Sequence, residues 1–179
     1  CNTGTSILIY NKNVFDHFGV PYPDETMNWE EFIVLAKKFD PAADPHPQGH
    51  APIFAVSGMN WRAFFDTHRG EFFDAEGRLH IGDNPELVRA FDLHRDFLFT
   101  HRFMPSEVET KAMSGQGGWG TGNLNQFATA RFAMINTGYY ALISFGRAYD
   151  QQLKDLARRG IGVSEITEPL QKPLRLGAV

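Results

Sequence analysis

Two adjacent tyrosines, Tyr139 and Tyr140, are the first residues whose type and place suggest ligand chemistry. They follow a short apolar run, residues 132–135, whose length and continuity predict a strand buried on both faces. Residues 136–138, between the run and the tyrosines, are predicted to end the strand in a turn. Side chains at the carboxyl end of such a strand commonly line a crevice in open α/β sheets. Both tyrosines are therefore candidate ligand contacts. The alternative is that they are half-buried packing residues with solvated hydroxyls.

A second candidate pair, Asn60 and Trp61, follows the apolar strand predicted at residues 53–56. Asp66 is a further candidate on the same segment. The alternative for Trp61 is that it opens an amphipathic helix and packs with the phenylalanines that follow it. The sequence leaves both interpretations of Trp61 open, with ligand contact slightly favoured.

A glycine-rich stretch at residues 114–122 carries Trp119 as its single aromatic side chain. The stretch lacks the G-K-[ST] ending of a phosphate loop, and no clear strand precedes it. The conformational freedom of glycine suits a loop that presents one aromatic residue. Trp119 is thus a candidate ligand contact, and packing against the protein surface is the equal alternative.

These candidates together have the chemistry of a saccharide or polyol site. Sugars offer apolar C–H faces and neighbouring hydroxyls, so their sites need aromatic walls together with amide or carboxylate groups. A surplus of Arg and Lys would instead indicate a phosphate or carboxylate ligand. Only Arg62 and Arg69 point in that direction, and a non-sugar, anionic solute is therefore the alternative ligand class.

Catalytic and metal-binding patterns are weak in this sequence. It contains no G-x-S-x-G nucleophile elbow, and no pair of carboxylates stands out. His46 and His50 are four residues apart, but Pro45 and Pro47 argue against the helix that would bring them together. His94 falls on the apolar stripe of a predicted helix, which favours a core position. We therefore expect no enzyme activity, cofactor or metal, with a glycan-acting enzyme or a partner-binding module as alternatives.

The bulk composition is that of an ordinary globular domain. The 179 residues are 42% hydrophobic and include 16 Phe, which predicts one domain with a core of large aromatic side chains. A net charge of −4 gives no support for nucleic-acid binding. The single cysteine, Cys1, excludes an internal disulfide. No stretch approaches the ~20 apolar residues of a membrane span, and the first residues do not resemble a signal peptide.

Strand and helix signals alternate along the chain. Asn11, Asn28 and either Asp83 or Asn84 are predicted helix caps, and Glu31 completes a capping box with Asn28. From Pro105 onward the strand and helix signals fade. They resume at Asn123, which is predicted to cap the helix that leads to residue 131. The predicted strands are residues 5–10, 53–56, 132–135, 161–166 and 174–179, with a hairpin at 71–82; the clearest helices are 11–17, 28–39, 85–100 and 140–159.

Three stretches resemble motifs of extracellular solute-binding proteins of ABC importers, specifically the family that carries sugars. Residues 127–142 resemble its F-x-x-G-K-A-A-M-x-x-x-G-x-W-A-L motif, with Arg131 at the position of the Lys and Tyr140 at that of the Trp. The motifs occur in family order and spread over most of the chain. The other two are residues 8–15 with 29–32, which resemble L-x-Y-N-K-D-L-F and T-W-x-E-F, and residues 72–77, which resemble L-F-D-x-x-G.

The sequence departs from this family pattern at two places. Ala130 stands where the family usually has Gly, and a Cβ in a left-handed helix cap costs roughly 1–2 kcal/mol. We therefore expect the helix before it to end differently here. Arg69 replaces the first residue of a usual Gly-Gly pair, which places a long cation where the family has none.

The resemblance implies an α/β fold: one lobe of a periplasmic-binding-protein-like (type II) fold, helix-rich, with a small central sheet flanked by helices. Residues 1–179 would be the C-terminal lobe of a two-lobe protein, the N-terminal lobe being absent. The resemblance also implies that Trp61 faces the sugar. The expected partners are a sugar or polyol, the missing lobe and the membrane subunits of an ABC permease, with no nucleic acid.

The resemblance further implies a periplasmic or extracellular location and a monomer. Mature bacterial lipoproteins begin with an acylated Cys, but Cys1 lies only a few residues before the first predicted strand. This leaves no room for a tether or a first lobe, so a cut inside a longer protein is the preferred explanation of this start. Any lipoprotein anchor is expected in a segment outside this chain.

Overall fold

The computed structural model describes residues 6–39, 53–67, 72–79, 84–114 and 121–179. A mixed sheet stands at the centre of this part of the chain. Its strands are β1 (Ser6–Asn11), β2 (Phe54–Ser57), β3 (Phe132–Gly138) and β4 (Leu176–Ala178). The strand order across the sheet is β2-β3-β1-β4, so neighbours in the sheet are distant in sequence.

Helices flank this sheet and make up most of the described chain. An α-helix at Pro85–Arg95 continues as a π-helical turn, Asp96–Thr100. The α-helices are α1 (Lys12–Phe18), α2 (Trp29–Ala36), α3 (Trp61–Thr67), α4 (Pro85–Arg95), α5 (Glu107–Ser114), α6 (Thr121–Ala128) and α7 (Ala141–Arg158). The architecture is the predicted α/β lobe, with a small central sheet and a high helix content.

The strand directions bring several chain segments to one edge of the sheet. β2 runs parallel to β3, with Ser57 beside Ile135, whereas β1 runs antiparallel to β3 and places Ser6 beside Gly138. We call the edge at which β2 ends at Ser57 and β3 ends at Gly138 the carboxyl edge. β4 runs antiparallel to β1, and Val179 exchanges two hydrogen bonds with Leu8. Both ends of the described chain therefore point toward the carboxyl edge.

Two apolar cores lie on opposite faces of the sheet. Ile9 and Tyr10 are neighbours on β1 but belong to different cores, as the alternation of side chains along a strand requires. The larger core is rich in buried aromatic rings, as the phenylalanine content predicted. Trp29 is partly buried and packs against this core, with its ring centroid 4.8 Å from that of Phe64. The smaller core packs α6 and α7 against the sheet through Phe127, Phe132 and Phe145.

Three of the predicted asparagine caps begin helices. The side chain of Asn11 accepts from the Asn13 amide at the start of α1, and Asn84 caps α4. Asn28 accepts from the Glu31 amide while the Glu31 carboxylate accepts from the Asn28 amide, which completes the capping box of α2. Each such cap stabilises its helix by about 1 kcal/mol.

Three helices end in the same hydrogen-bonded motif. In the Schellman motif a left-handed residue follows the helix and two amides bond back to carbonyls of its last turn. Gly19 (φ 64°) ends α1 this way and Gly160 (φ 68°) ends α7. Ala130 (φ 61°) ends α6, its amide bonding to the Phe127 carbonyl at 3.0 Å. The expectation of a different ending at Ala130 is therefore wrong: α6 keeps the left-handed cap despite the Cβ.

The carboxyl-terminal segment is attached to the lobe by side-chain amides. The Gln152 side chain accepts from the Leu174 amide at 2.8 Å and donates to the Ala128 carbonyl at 3.1 Å. Asn13 is buried and donates to the Pro173 carbonyl at 2.9 Å. These bonds join α6, α7 and α1 to the segment that leads into β4.

Five local predictions need correction. Asn123 is predicted to cap a helix, but it lies inside α6. Residues 136–138 were predicted to end the strand, but they extend β3 because they pair with β1. Residues 161–166 form a 3₁₀ turn at Val163–Glu165 instead of a strand. The hairpin predicted at 71–82 is a single bridge, Phe73 to Leu79, within the part that the structure describes.

The segment after Pro105, where the apolar pattern of the sequence fades, contains the helix α5. This helix begins with a capping box of Ser106 and Glu109.

Candidate functional site

Tyr139 and Tyr140 lie at the carboxyl edge and are among the most exposed large side chains of the described chain. They follow Gly138, the last residue of β3, and precede α7, which begins at Ala141. Tyr139 is 72% exposed and Tyr140 is 67% exposed. Their main-chain carbonyls accept from the amides of the first turn of α7, so the helix fixes both residues. The alternative that the tyrosines are half-buried packing residues does not fit this exposure.

The Tyr140 ring lies against the end of β3. A Cβ built on Gly138 would come within 2.6 Å of Tyr140 Cε1 and 2.8 Å of Cδ1. Only a glycine leaves this space. The sequence interpretation treated Gly138 as a turn residue and missed this role, although a glycine two positions before an exposed aromatic residue was a visible signal.

Ile143 extends the exposed surface along α7. It is 65% exposed and follows Tyr140, the N-cap residue of α7, by three residues, which is the spacing of neighbouring side chains on a helix surface. The sequence interpretation did not include it among the candidates. The carboxyl edge therefore carries two aromatic rings with hydroxyls and one aliphatic side chain.

Asn60 lies beyond the end of the neighbouring strand β2 and caps α3. Its side-chain oxygen accepts from the Arg62 amide at 3.0 Å and the Ala63 amide at 3.2 Å. Gly58, in the left-handed region at φ 79°, allows this turn, because a Cβ there would lie 2.2 Å from the Asn136 carbonyl oxygen of β3. The turn into α3 is thus tightly packed against β3. The side-chain oxygen of Asn60 serves the helix, which leaves its NH₂ group as the part suited to a ligand.

Trp61 begins α3 and makes extensive aromatic contacts. Its ring stacks on Phe91 of α4, with centroids 5.2 Å apart and planes 25° from parallel, and meets Phe72 at 88°. The Arg62 guanidinium lies 5.8 Å from the centre of the Phe72 ring. These contacts favour the packing interpretation of Trp61. Its predicted contact with a ligand would use the part of the ring that remains partly exposed.

Several candidates lie outside what the structure describes. Trp119, Arg69, His46 and His50 are not among the described residues. Asp66 belongs to α3, but its side chain lies outside the described part. Their predicted roles therefore remain predictions.

The histidine that is predicted to belong to the core packs beside an aromatic side chain. His94 of α4 lies beside Phe64, with ring centroids 6.2 Å apart, and burial lowers its pKa below 6.5. Its neutral form is therefore favoured. Among the described residues no group of three or more His, Cys, Asp or Glu is arranged to hold a metal ion, and no helix has the length and apolarity needed to cross a membrane.

An open groove lies elsewhere in the lobe. It has a volume of about 380 Å³ and runs between the turn after α1 and the α2 helix, from Tyr22 to Lys38. Tyr22 packs 5.4 Å from Tyr10, near the end of β1 that is remote from the carboxyl edge. The groove and the exposed tyrosines are thus separate features.

Solved structures of solute-binding proteins share this fold. The maltose-bound MalE3 protein of T. maritima matches 97% of the chain, with a TM-score of 0.61 and 16% identity. A solute-binding protein of Agrobacterium vitis with bound D-mannitol matches 98%, with a TM-score of 0.59 and 16% identity. An ABC substrate-binding protein of Listeria monocytogenes in complex with cycloalternan matches 75%, with a TM-score of 0.57 and 23% identity.

The chain spans about a third of the length of these proteins: 37%, 36% and 32% respectively. At these identities the likeness concerns the fold, and it confirms the predicted class, one lobe of a periplasmic-binding-protein-like fold. No family model and no curated protein matches the sequence.

Proposed function

We propose that this chain is the C-terminal lobe of the substrate-binding component of an ABC-type importer, and that it binds a sugar or related polyol. The observation that carries the proposal is the pair of exposed tyrosines at the carboxyl edge. Tyr139 and Tyr140 follow a central strand and are held by the first turn of α7. This is the position in which open α/β sheets place ligand-binding side chains.

The chemistry of the edge suits a neutral polyhydroxylated ligand. Tyrosine offers a flat apolar face for sugar C–H groups and a hydroxyl that donates and accepts hydrogen bonds. The NH₂ group of Asn60 adds a donor near the end of β2. Proteins of the same fold are described with bound maltose, D-mannitol and ribitol, which supports the same ligand class for this chain.

The path of the chain supports a second lobe at this edge. Ser6 pairs with Gly138, and Val179 pairs with Leu8 as the chain heads in the same direction. The described chain therefore enters β1 and leaves β4 at the edge that carries the tyrosines. In the proposed mechanism the ligand lies between the two lobes and contacts both, so that it stabilises the closed form. The isolated lobe should accordingly bind weakly.

The remaining parts of the proposal follow the importer role. The closed, loaded protein would deliver its ligand to a membrane permease from a periplasmic or extracellular location, as a monomer. The proposal includes no catalysis, cofactor or nucleic acid.

A thermal-shift titration of the full-length protein tests the proposal. The ligands are maltose, D-mannitol and ribitol, with citrate and phosphate as anionic probes. A ligand at ~100 times its Kd should add about 2.7 kcal/mol of stability. Stabilisation by a neutral sugar or polyol would support the proposal. Stabilisation by the anions alone would overturn the sugar assignment and favour a site around Arg62, and no response to any probe would overturn small-solute binding.

A further inference from the structure

Gly138 is unusual because its backbone does not require a glycine. It is the last residue of β3 and pairs in the regular antiparallel ladder with Ser6. It does not belong to the residues with positive φ, which include Gly58 and Gly77. Glycine within a strand weakens the strand, and it often marks a close approach by another group. The group that approaches Gly138 is the Tyr140 ring.

We propose that Gly138 is a positioning residue for Tyr140. By lacking a Cβ it allows the ring to lie against the end of β3, in the orientation that meets the ligand. The inference rests on the proposed function, because it concerns the same ligand edge. It adds a residue that makes no ligand contact of its own and acts through the ring of Tyr140.

The consequences of a Cβ at this position follow from the exposure of the ring. Real Cβ atoms essentially never approach another heavy atom as closely as the 2.6 Å found here, so something must move. The Tyr140 ring is 67% exposed and has solvent into which it can turn, whereas Gly138 is held in the sheet by its pairing with Ser6 of β1. Gly138→Ala should therefore displace the ring and leave the sheet intact.

A displaced ring must be ordered again when the ligand binds. Ordering one side chain at a binding site weakens affinity by about 2- to 12-fold. The experiment measures maltose and D-mannitol binding to the full-length protein by titration calorimetry. The variants are Gly138→Ala, Tyr140→Leu and the double variant. Gly146→Ala is the matched control, because Gly146 lies within α7 and its Cβ position meets open space.

We expect Gly138→Ala to weaken binding of the recognised sugar by about 2- to 12-fold without lowering the melting temperature. In the Tyr140→Leu background the same change should cause no further loss, since the ring that it displaces is gone. Gly146→Ala should bind like the wild type. Wild-type affinity in Gly138→Ala, or equal losses in both backgrounds, would overturn the inference.

A spectroscopic measurement tests the positioning without a ligand. The Gly138 α-proton that occupies the Cβ direction should carry a ring-current shift in the NMR spectrum of the wild type, and Tyr140→Leu should abolish it. An unchanged proton shift in Tyr140→Leu would overturn the inference whatever the binding data. If the shift is present but the wild type binds no probe, the proposed function fails and the role in ligand binding fails with it.

Discussion

The ring of Tyr10 lies directly over the main chain of Gly177, its partner in the pairing of β1 with β4. A Cβ on Gly177 would come within 2.0 Å of Tyr10 Cζ and 2.2 Å of its hydroxyl oxygen. Tyr10 is buried and packs 5.4 Å from Phe15, so its ring cannot swing aside as an exposed ring can. The pairing of β4 with β1 therefore places Gly177 beneath the Tyr10 ring, where no Cβ fits.

We predict that Gly177→Ala destabilises the lobe by about 1–3 kcal/mol, because the added methyl forces a buried ring or the strand β4 to move. Urea unfolding followed by circular dichroism measures the change. Gly146→Ala is the control and should increase stability by about 0.5–1 kcal/mol, since it removes a glycine from inside α7. Equal stabilities of the two variants would contradict the close contact.

The left-handed cap of α6 yields the opposite prediction. Ala130 has φ 61°, where a Cβ costs roughly 1–2 kcal/mol. Replacing Ala130 by glycine removes this cost, but it also raises the conformational entropy of the unfolded chain, which offsets part of the stabilisation. We expect Ala130→Gly to raise the free energy of unfolding by about 0.5–1 kcal/mol.

The matched change at an equivalent cap should act in reverse. Gly160→Ala places a Cβ in the same motif at the end of α7, with φ 68° and open space around it, so steric crowding plays no part. We expect it to lower stability by roughly 1 kcal/mol. Chemical denaturation of Ala130→Gly and Gly160→Ala measures the change in the free energy of unfolding of each. A stabilising Gly160→Ala would refute the backbone explanation.

Ligand binding should depend on Tyr140 and not on a similar tyrosine farther along α7. Tyr149 is also partly exposed but lies nine residues, or about 13 Å, along the helix. Tyr140→Ala should remove an aromatic contact and abolish the thermal shift caused by the recognised sugar, whereas Tyr149→Ala should keep it. Retention of the shift in Tyr140→Ala would remove the central residue from the proposed site.

His94 gives the lobe a pH dependence with a definite sign. Burial lowers the pKa of His94 in the folded chain, while the unfolded chain keeps a value near 6.5. Below pH 6.5 the unfolded chain therefore binds more protons than the folded chain, so this contribution to stability is present above pH 6.5 and is lost as the pH falls through the folded pKa.

Replacing His94 should reduce that dependence. We expect His94→Leu to lose less stability than the wild type between pH 7.5 and pH 5.5, as measured by urea unfolding at each pH. Leu is chosen because the position is partly buried beside Phe64 of α3. Parallel pH profiles for the two proteins would contradict the role assigned to burial.

Local signals in the sequence predicted the parts of the fold that depend on neighbouring residues. The Asn28 capping box and the Gly160 helix end depend on residues within one turn, so their patterns are visible in the sequence. The Ser106 and Glu109 box was equally visible, but the fading apolar pattern around it obscured it.

The missed features depend on contacts between distant residues. Residues 136–138 are polar or glycine and resemble a turn, yet they remain in β3 because β1, more than a hundred residues earlier, supplies their pairing partners. The stacking of Trp61 on Phe91 likewise joins two helices 30 positions apart. Residue type predicted that Trp61 was important, but its surroundings could not be predicted from the sequence.

The position of Val179 has a practical consequence for protein engineering. Val179 lies opposite Leu8, which lies opposite Asn136, so two strand spacings of about 10 Å in total separate it from Asn136, two residues before the end of β3. With Cys1 replaced, a Val179→Cys variant would carry one reactive thiol. An environment-sensitive fluorophore attached there would sit close to the exposed tyrosines without altering them, and would convert this lobe into an optical reporter of whatever occupies that edge.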